Sequence, residues 1–249
     1  LRLTEQIQNC ILVHQQPNAR IARSGNLDPE RVWRAPLLGD SRVFRCAEEE
    51  NQPSFTVDLL LDASASRLHC QEVIAAQGAI LAESLSRCHI PVRVSSFCSL
   101  RGYTVLRVLK HFKDKQWQGV NQYFASGWNR DGLALRGMAP LLRDAPAEKR
   151  LLLLLTDASP NDSHKIPPSD RVPLSRDYDG PAAVQDTAAQ VRTLRQRGVR
   201  VAAIFMGESA SFPDARTIYG RDLVRIRRMD ELAGAAGKLI QQEIAELSD

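Results

Sequence analysis

An apolar run, Val57-Asp58-Leu59-Leu60-Leu61, ends in Asp62-Ala63-Ser64-Ala65-Ser66. This places a carboxylate and two hydroxyls at alternating positions. In an extended or turning backbone, residues i, i+2 and i+4 point to one side. Three hard oxygens with no Cys or His among them suit Mg²⁺, Mn²⁺ or Ca²⁺ rather than zinc or copper. One carboxylate does not complete such a site, so further donors must come from elsewhere. Two other stretches offer them: Gly127-Trp128-Asn129-Arg130-Asp131-Gly132, and Thr156-Asp157 after the five leucines Leu151 to Leu155. Each has a plainer reading. Ser64 and Ser66 suit a helix N-cap, Asn129 suits the cap of the next helix, and Asp131 suits that helix's positive end.

The elements around these stretches follow from periodicity. Thr56 to Asp62 predicts a central strand, and Arg67 to Arg87 a helix. Pro91 to Phe97 and Tyr103 to Leu109 predict strands, and Leu133 to Leu142 a helix opened by Asn129. Arg150 to Thr156 is short, bounded and wholly apolar at its centre, as a strand buried on both faces must be. Ala182 to Arg197 predicts a helix closed by Gly198. Val199 to Met206 and Leu223 to Ile226 then predict strands, and Asp230 to Leu247 the closing helix. Strands alternating with helices imply an α/β fold: a doubly wound, mostly parallel sheet with helices on both faces. In such sheets ligands bind beyond the carboxyl ends of the strands, where all three donor stretches fall.

Residues 158–181 carry five prolines and read as a long loop beside the site, expected to be removable without loss of the fold. Residues 1–54 read as an N-terminal arm on the main 55–249 domain. The arm has a short helix within 1–16, irregular structure from Pro17 to Pro36 with a short helix after Asp28, and a polar linker at 48–53.

Composition narrows the function classes. The net charge of +4 is spread along the chain and only 6% of residues are aromatic, which argues against a nucleic-acid surface. No run is long enough to span a membrane and no signal peptide is visible. Five cysteines, an odd number without CxxC spacing, fit free thiols in a reducing cytoplasm. His69, His89, His111 and His164 lack zinc spacing. Neither a Walker-type phosphate loop nor a convincing general base is present, which weighs against a phosphohydrolase. Arg225, Arg227 and Arg228 suit a solvated face, or a contact to a partner or phosphate.

The three stretches together resemble the metal-ion-dependent adhesion site of von Willebrand factor type A domains, over roughly residues 54–247. Asn129 to Leu135 and Thr156 to Asp162, with Leu27-Asp28-Pro29 and Trp33-Arg34 upstream, are most similar to the bacterial nitric oxide reductase activation (NorD-like) group. The cobalt-chelatase subunit group is similar but less close. The resemblance implies Mg²⁺ or a similar ion held by Asp62, Ser64 and Ser66, with Asn129 and Asp157 directly or through water and Asp131 as a possible further ligand. It implies an interaction module, not an enzyme, whose metal takes a carboxylate from a partner protein. It also implies association with an AAA+ ATPase of the MoxR class in maturing a client; a chelatase-type subunit is the alternative. Two departures stand out: Asn129 where the superfamily usually has Thr, and Ala158 where it often has Gly.

Overall fold

A computed structural model describes residues 2–14, 19–47, 55–168 and 172–246. Helix α1 (Arg2–His14) is followed by strands β1 (Ala19–Ala22) and β2 (Asn26–Leu27), helix α2 (Arg34–Leu38) and strand β3 (Phe44–Ala47). The chain then runs β4 (Phe55–Asp62), α3 (Gln71–Arg87), β5 (Val92–Leu100), β6 (Tyr103–Lys110), α4 (Asp131–Arg143) and β7 (Lys149–Thr156). It continues with β8 (Asp162–Ile166), β9 (Arg176–Tyr178), α5 (Gly180–Gln196), β10 (Val199–Phe205), α6 (Phe212–Tyr219), β11 (Leu223–Arg225) and α7 (Leu232–Glu246).

Six strands form the central sheet in the order β11-β10-β7-β4-β5-β6. All neighbours are parallel except the edge strand β6, which runs antiparallel to β5. The leucine run shows why this sheet needs an unbroken apolar strand. Leu151, Leu153 and Leu155 face the layer built with α3, α7 and Ile7 of α1. Leu152 and Leu154 face the opposite layer, built with α4, α5 and α6. A strand covered on both faces has no solvent side on which to place polar residues. The order of connections reverses at β4, between β5 and β7, so the carboxyl ends of β4 and β7 flank the switch point.

Several expectations are corrected in detail. The segment 158–181 is not a plain loop. It contains the antiparallel β8–β9 hairpin, and Tyr178 at its end is 1% exposed. Its strand residues 162–165 are polar and mostly exposed, so no apolar alternation marked them. The buried Tyr178 ties the end of this segment to the protein interior; residues 169–171 lie outside the described residues. Helix α6 was not anticipated. It has only eight residues and buries Ala215, Ile218 and Tyr219, a single short stripe. In the first 47 residues, β1, β3 and β2 form a small antiparallel sheet where irregular structure was expected. The short helix starts at Arg34, not directly after Pro29. The proposed linker at 48–53 lies outside the described residues. Gly198 has a φ of 77°, as a helix stop requires. Among the described residues, no helix is long and apolar enough to cross a membrane.

Candidate metal centre

The three donor stretches meet at the carboxyl edge of the sheet. Asp62 ends β4 and is fully buried. Its Oδ1 accepts the backbone N–H of Ser64 at 2.9 Å, and its own carbonyl accepts the Tyr123 hydroxyl at 2.5 Å. Ser64 is extended (φ −69°, ψ 162°), which turns the chain into a 3₁₀ turn over 65–70 before α3 begins. The Ser64 and Ser66 hydroxyls lie 3.0 Å apart, and Ser66 Oγ donates to Asp157 Oδ2 at 3.0 Å. Neither serine acts as a side-chain N-cap for the turn that follows. The two hydroxyls and the Asp157 carboxylate thus come together across 91 residues of sequence.

The second stretch is held by backbone. Ser126 N–H donates to Ala63 carbonyl at 2.7 Å, and Ala65 N–H to Gly127 carbonyl at 3.0 Å. Gly127 has a φ of 68°, and a Cβ there would stand 2.3 Å from the Ser99 carbonyl oxygen. Only glycine lets this loop approach the end of β5 this closely. Asn129 pairs through its backbone with Asn161, N–H to carbonyl in both directions at 3.1 Å. It does not cap α4, whose N-cap position is Arg130. The Asn129 side chain is instead buried beside the site, and its Nδ2 has no hydrogen-bond partner among the described residues. Asp131 opens α4 and is fully buried; Thr156 Oγ1 donates to its Oδ2 at 3.4 Å.

The third stretch keeps a tight turn. Ala158 adopts a φ of 53°, the left-handed region that favours glycine, so an alanine holds the conformation a glycine would take. The turn is closed by Ala158 N–H to Thr156 Oγ1 at 2.9 Å and Ser159 N–H to Asp157 Oδ1 at 3.2 Å.

Sequence reasoning missed one residue here. Arg67 follows the last serine directly and is only 5% exposed. Its guanidinium forms a very short ion pair with Asp157 Oδ2 and donates to the Met206 carbonyl at 3.0 Å. Its Nε lies 3.8 Å from Asp62 Oδ2. The one signal available was its position, an arginine abutting the serine pair. Thr156 was read only as the neighbour of Asp157, yet it joins two of the three stretches.

The electrostatics show a surplus of acid. Burial, and then the neighbouring Asp157 charge, push the Asp62 carboxyl up to about 7. Burial, then Asp62 and Asp157, hold Asp131 well above the usual carboxylate range. Asp62 Oδ2 and Asp131 Oδ1 are buried without a hydrogen-bond donor among the described residues. Burying a carboxylate oxygen without a partner is costly, and a hard dication is a group that satisfies such an oxygen. Among the described residues, no three His, Cys, Asp or Glu side chains form a metal cage of their own. An ion here would be held by a mixed set of carboxylate, hydroxyl and amide oxygens. The residues therefore fit a hard divalent cation.

No protein-family model matches the chain. The curated protein NorD of Brucella abortus is 28% identical over 137 residues, which is 53% of this chain and 20% of the relative. The chain thus matches only about a fifth of the length of its curated relatives. Among solved structures, the vWF domain of the type V pili tip protein Mfa5 from Porphyromonas gingivalis aligns with a TM-score of 0.57 at 11% identity. That alignment covers 78% of this chain and 95% of that one. Manganese-loaded TRAP from Plasmodium vivax aligns with a TM-score of 0.51 at 18% identity, over 76% and 74% of the two chains. The sheet order and these likenesses show a von Willebrand factor type A-like fold, in a chain that is similar over about half its length to part of NorD.

Proposed function

We propose that this domain is a non-enzymatic, metal-dependent protein-interaction module. Asp62, Ser64 and Ser66 would hold a hard dication, with Asn129, Asp131 and Asp157 as the remaining ligands, directly or through water. When bound, the ion supplies an electrophilic centre for an anionic oxygen of a partner protein. The observation that carries this reading is the gathering of three acids, Asp62, Asp131 and Asp157, around Arg67, with Asp62 Oδ2 and Asp131 Oδ1 buried and without a hydrogen-bond donor among the described residues. A structural helix start needs no such surplus of buried acid.

The chain's own residues prepare the site in three ways. Tyr123 and the Ser64 N–H fix Asp62 from both ends. Thr156 ties Asp131 to the β7 terminus. Exposed Ser66 and partly exposed Asp157 form the open side, where a partner's carboxylate would arrive. The partial likeness to NorD and the manganese in TRAP support the two halves of the proposal, an accessory role and a hard-cation site. In the wider reading, residues 1–54 serve as an arm of the 55–249 domain. The module works in the cytoplasm with an AAA+ ATPase of the MoxR class in maturing a client protein.

Calorimetric titration with Mg²⁺ and Mn²⁺ tests the core of this. Binding by the wild type and its loss in Asp62→Ala are expected. No heat and no thermal shift with either ion, with or without added acetate, would overturn the metal reading.

A further inference from the structure

We infer that Arg67 is an internal competitor for the cation, its guanidinium and a divalent ion being mutually exclusive at the Asp157 carboxylate. This rests on the cation reading of the site and adds what controls its occupancy.

The geometry carries it. The Arg67 guanidinium contacts Asp157 Oδ2, the same oxygen that accepts Ser66 Oγ at 3.0 Å. Its Nε stands 3.8 Å from Asp62 Oδ2 and has no hydrogen-bond partner of its own among the described residues. The guanidinium therefore spans the gap between the β4 and β7 carboxylates, the gap a cation bridging the two would fill. By charge alone the three acids would accommodate both cations. Geometry does not allow it, because a dication within coordination distance of Asp157 Oδ2 would meet the guanidinium nitrogen already there. Arginine cannot vacate by losing its proton, so it must move.

The remaining contacts allow that movement. Apart from the two acids, the guanidinium is held among the described residues by a single carbonyl, that of Met206 after β10. The other buried arginine paired to an acid on this strand is enclosed differently: Arg93 bonds Asp58 at 2.6 Å and stacks on Phe112 at 4.6 Å. Arg67 sits instead beneath exposed Ser66 and Leu68, at the mouth of the site. The arginine keeps the acids compensated while no ion is bound. It also lowers apparent cation affinity by the fraction of molecules in which it is seated.

The test uses the full chain. The side-chain Nε–H signal of Arg67, identified by its absence in Arg67→Met, is followed by ¹⁵N NMR during Mg²⁺ titration, with calorimetry in parallel. The expected result is a saturable shift of that signal as Mg²⁺ binds, and binding on the order of tenfold tighter in Arg67→Met. A signal that stays in place while calorimetry registers Mg²⁺ binding to the wild type overturns the inference and leaves the metal reading standing. So does unchanged or weaker binding in a folded Arg67→Met. Absence of Mg²⁺ binding in both proteins overturns the two together. If circular dichroism shows that Arg67→Met does not fold, the wild-type NMR titration decides alone, with Arg67→Lys used for assignment.

Discussion

Strand β4 carries two buried aspartates four residues apart, and their surroundings differ sharply. Asp58 lies mid-strand, directly opposite Arg93 in the β4–β5 register. The two bond at 2.6 Å, both are nearly inaccessible, and Phe112 covers the guanidinium. One acid meets one base, so the charge is matched, although Asp58 Oδ2 and Arg93 Nη2 have no hydrogen-bond partner among the described residues. Asp62 lies at the strand end on the same face, in a cluster with Asp131 and Asp157 whose one basic partner among the described residues is Arg67. The first arrangement serves packing. The second gathers more acid than base in a place open to solvent at Ser66, and burial holds Asp62 and Asp131 toward their protonated forms. That surplus, more than burial as such, distinguishes a candidate site from a structural ion pair.

The largest effect should come from breaking the matched pair. Arg93→Met leaves Asp58 buried and alone, and unfolding measurements should show a loss of about 3–5 kcal/mol that Mg²⁺ does not restore. Arg67→Met should cost less, about 1.5–3 kcal/mol in cation-free buffer for its charged hydrogen bonds. Millimolar Mg²⁺ should recover much of that loss. Equal losses, both insensitive to Mg²⁺, would erase the distinction between the two regions.

Removing acid at the strand end should act in the opposite direction. Asp131→Asn is expected to stabilise the cation-free protein by about 0.5–2 kcal/mol, the trade-off usual for strained functional groups. A loss of stability would show that its charge is already compensated. Asp62 gives the same contrast a pH signature. Its folded value, raised from 3.8 to about 7, means the folded chain holds a proton that the unfolded chain releases. Its contribution is complete below about pH 4 and is lost as pH rises through about 7. Melting in chelator across that range should show this fall, and Asp62→Asn should flatten it. The smallest effect is expected for Tyr123→Phe. Losing its hydrogen bond to the Asp62 carbonyl should cost about 0.5–1.5 kcal/mol and leave cation binding weakened but present.

Some of this was written in local patterns. Asp62, Ser64 and Ser66 announce themselves by alternation after an apolar run, and the leucines 151–155 by a length and composition that suit only a strand covered on both faces. The β8–β9 hairpin gave no such sign, because its residues are mostly exposed and polar. Arg67 gave almost none. An arginine after a serine pair reads as a solvated side chain until Asp157 and the Met206 carbonyl arrive from strands 90 and 139 residues away.

By itself, the sequence determined the six strands of the central sheet, the helices α3, α4, α5 and α7 between them, the α/β class and the identity of the oxygen donors, since periodicity and residue chemistry are local properties. Only the tertiary structure decided which donors meet. It also decided that Asn129 is a buried side chain rather than a cap, and that Ala158 holds a glycine-like turn. The excess of acid at the β4–β7 switch point emerged there as well. Charge balance in a buried site depends on which residues the fold brings within a few ångströms, and no spacing along the chain records that.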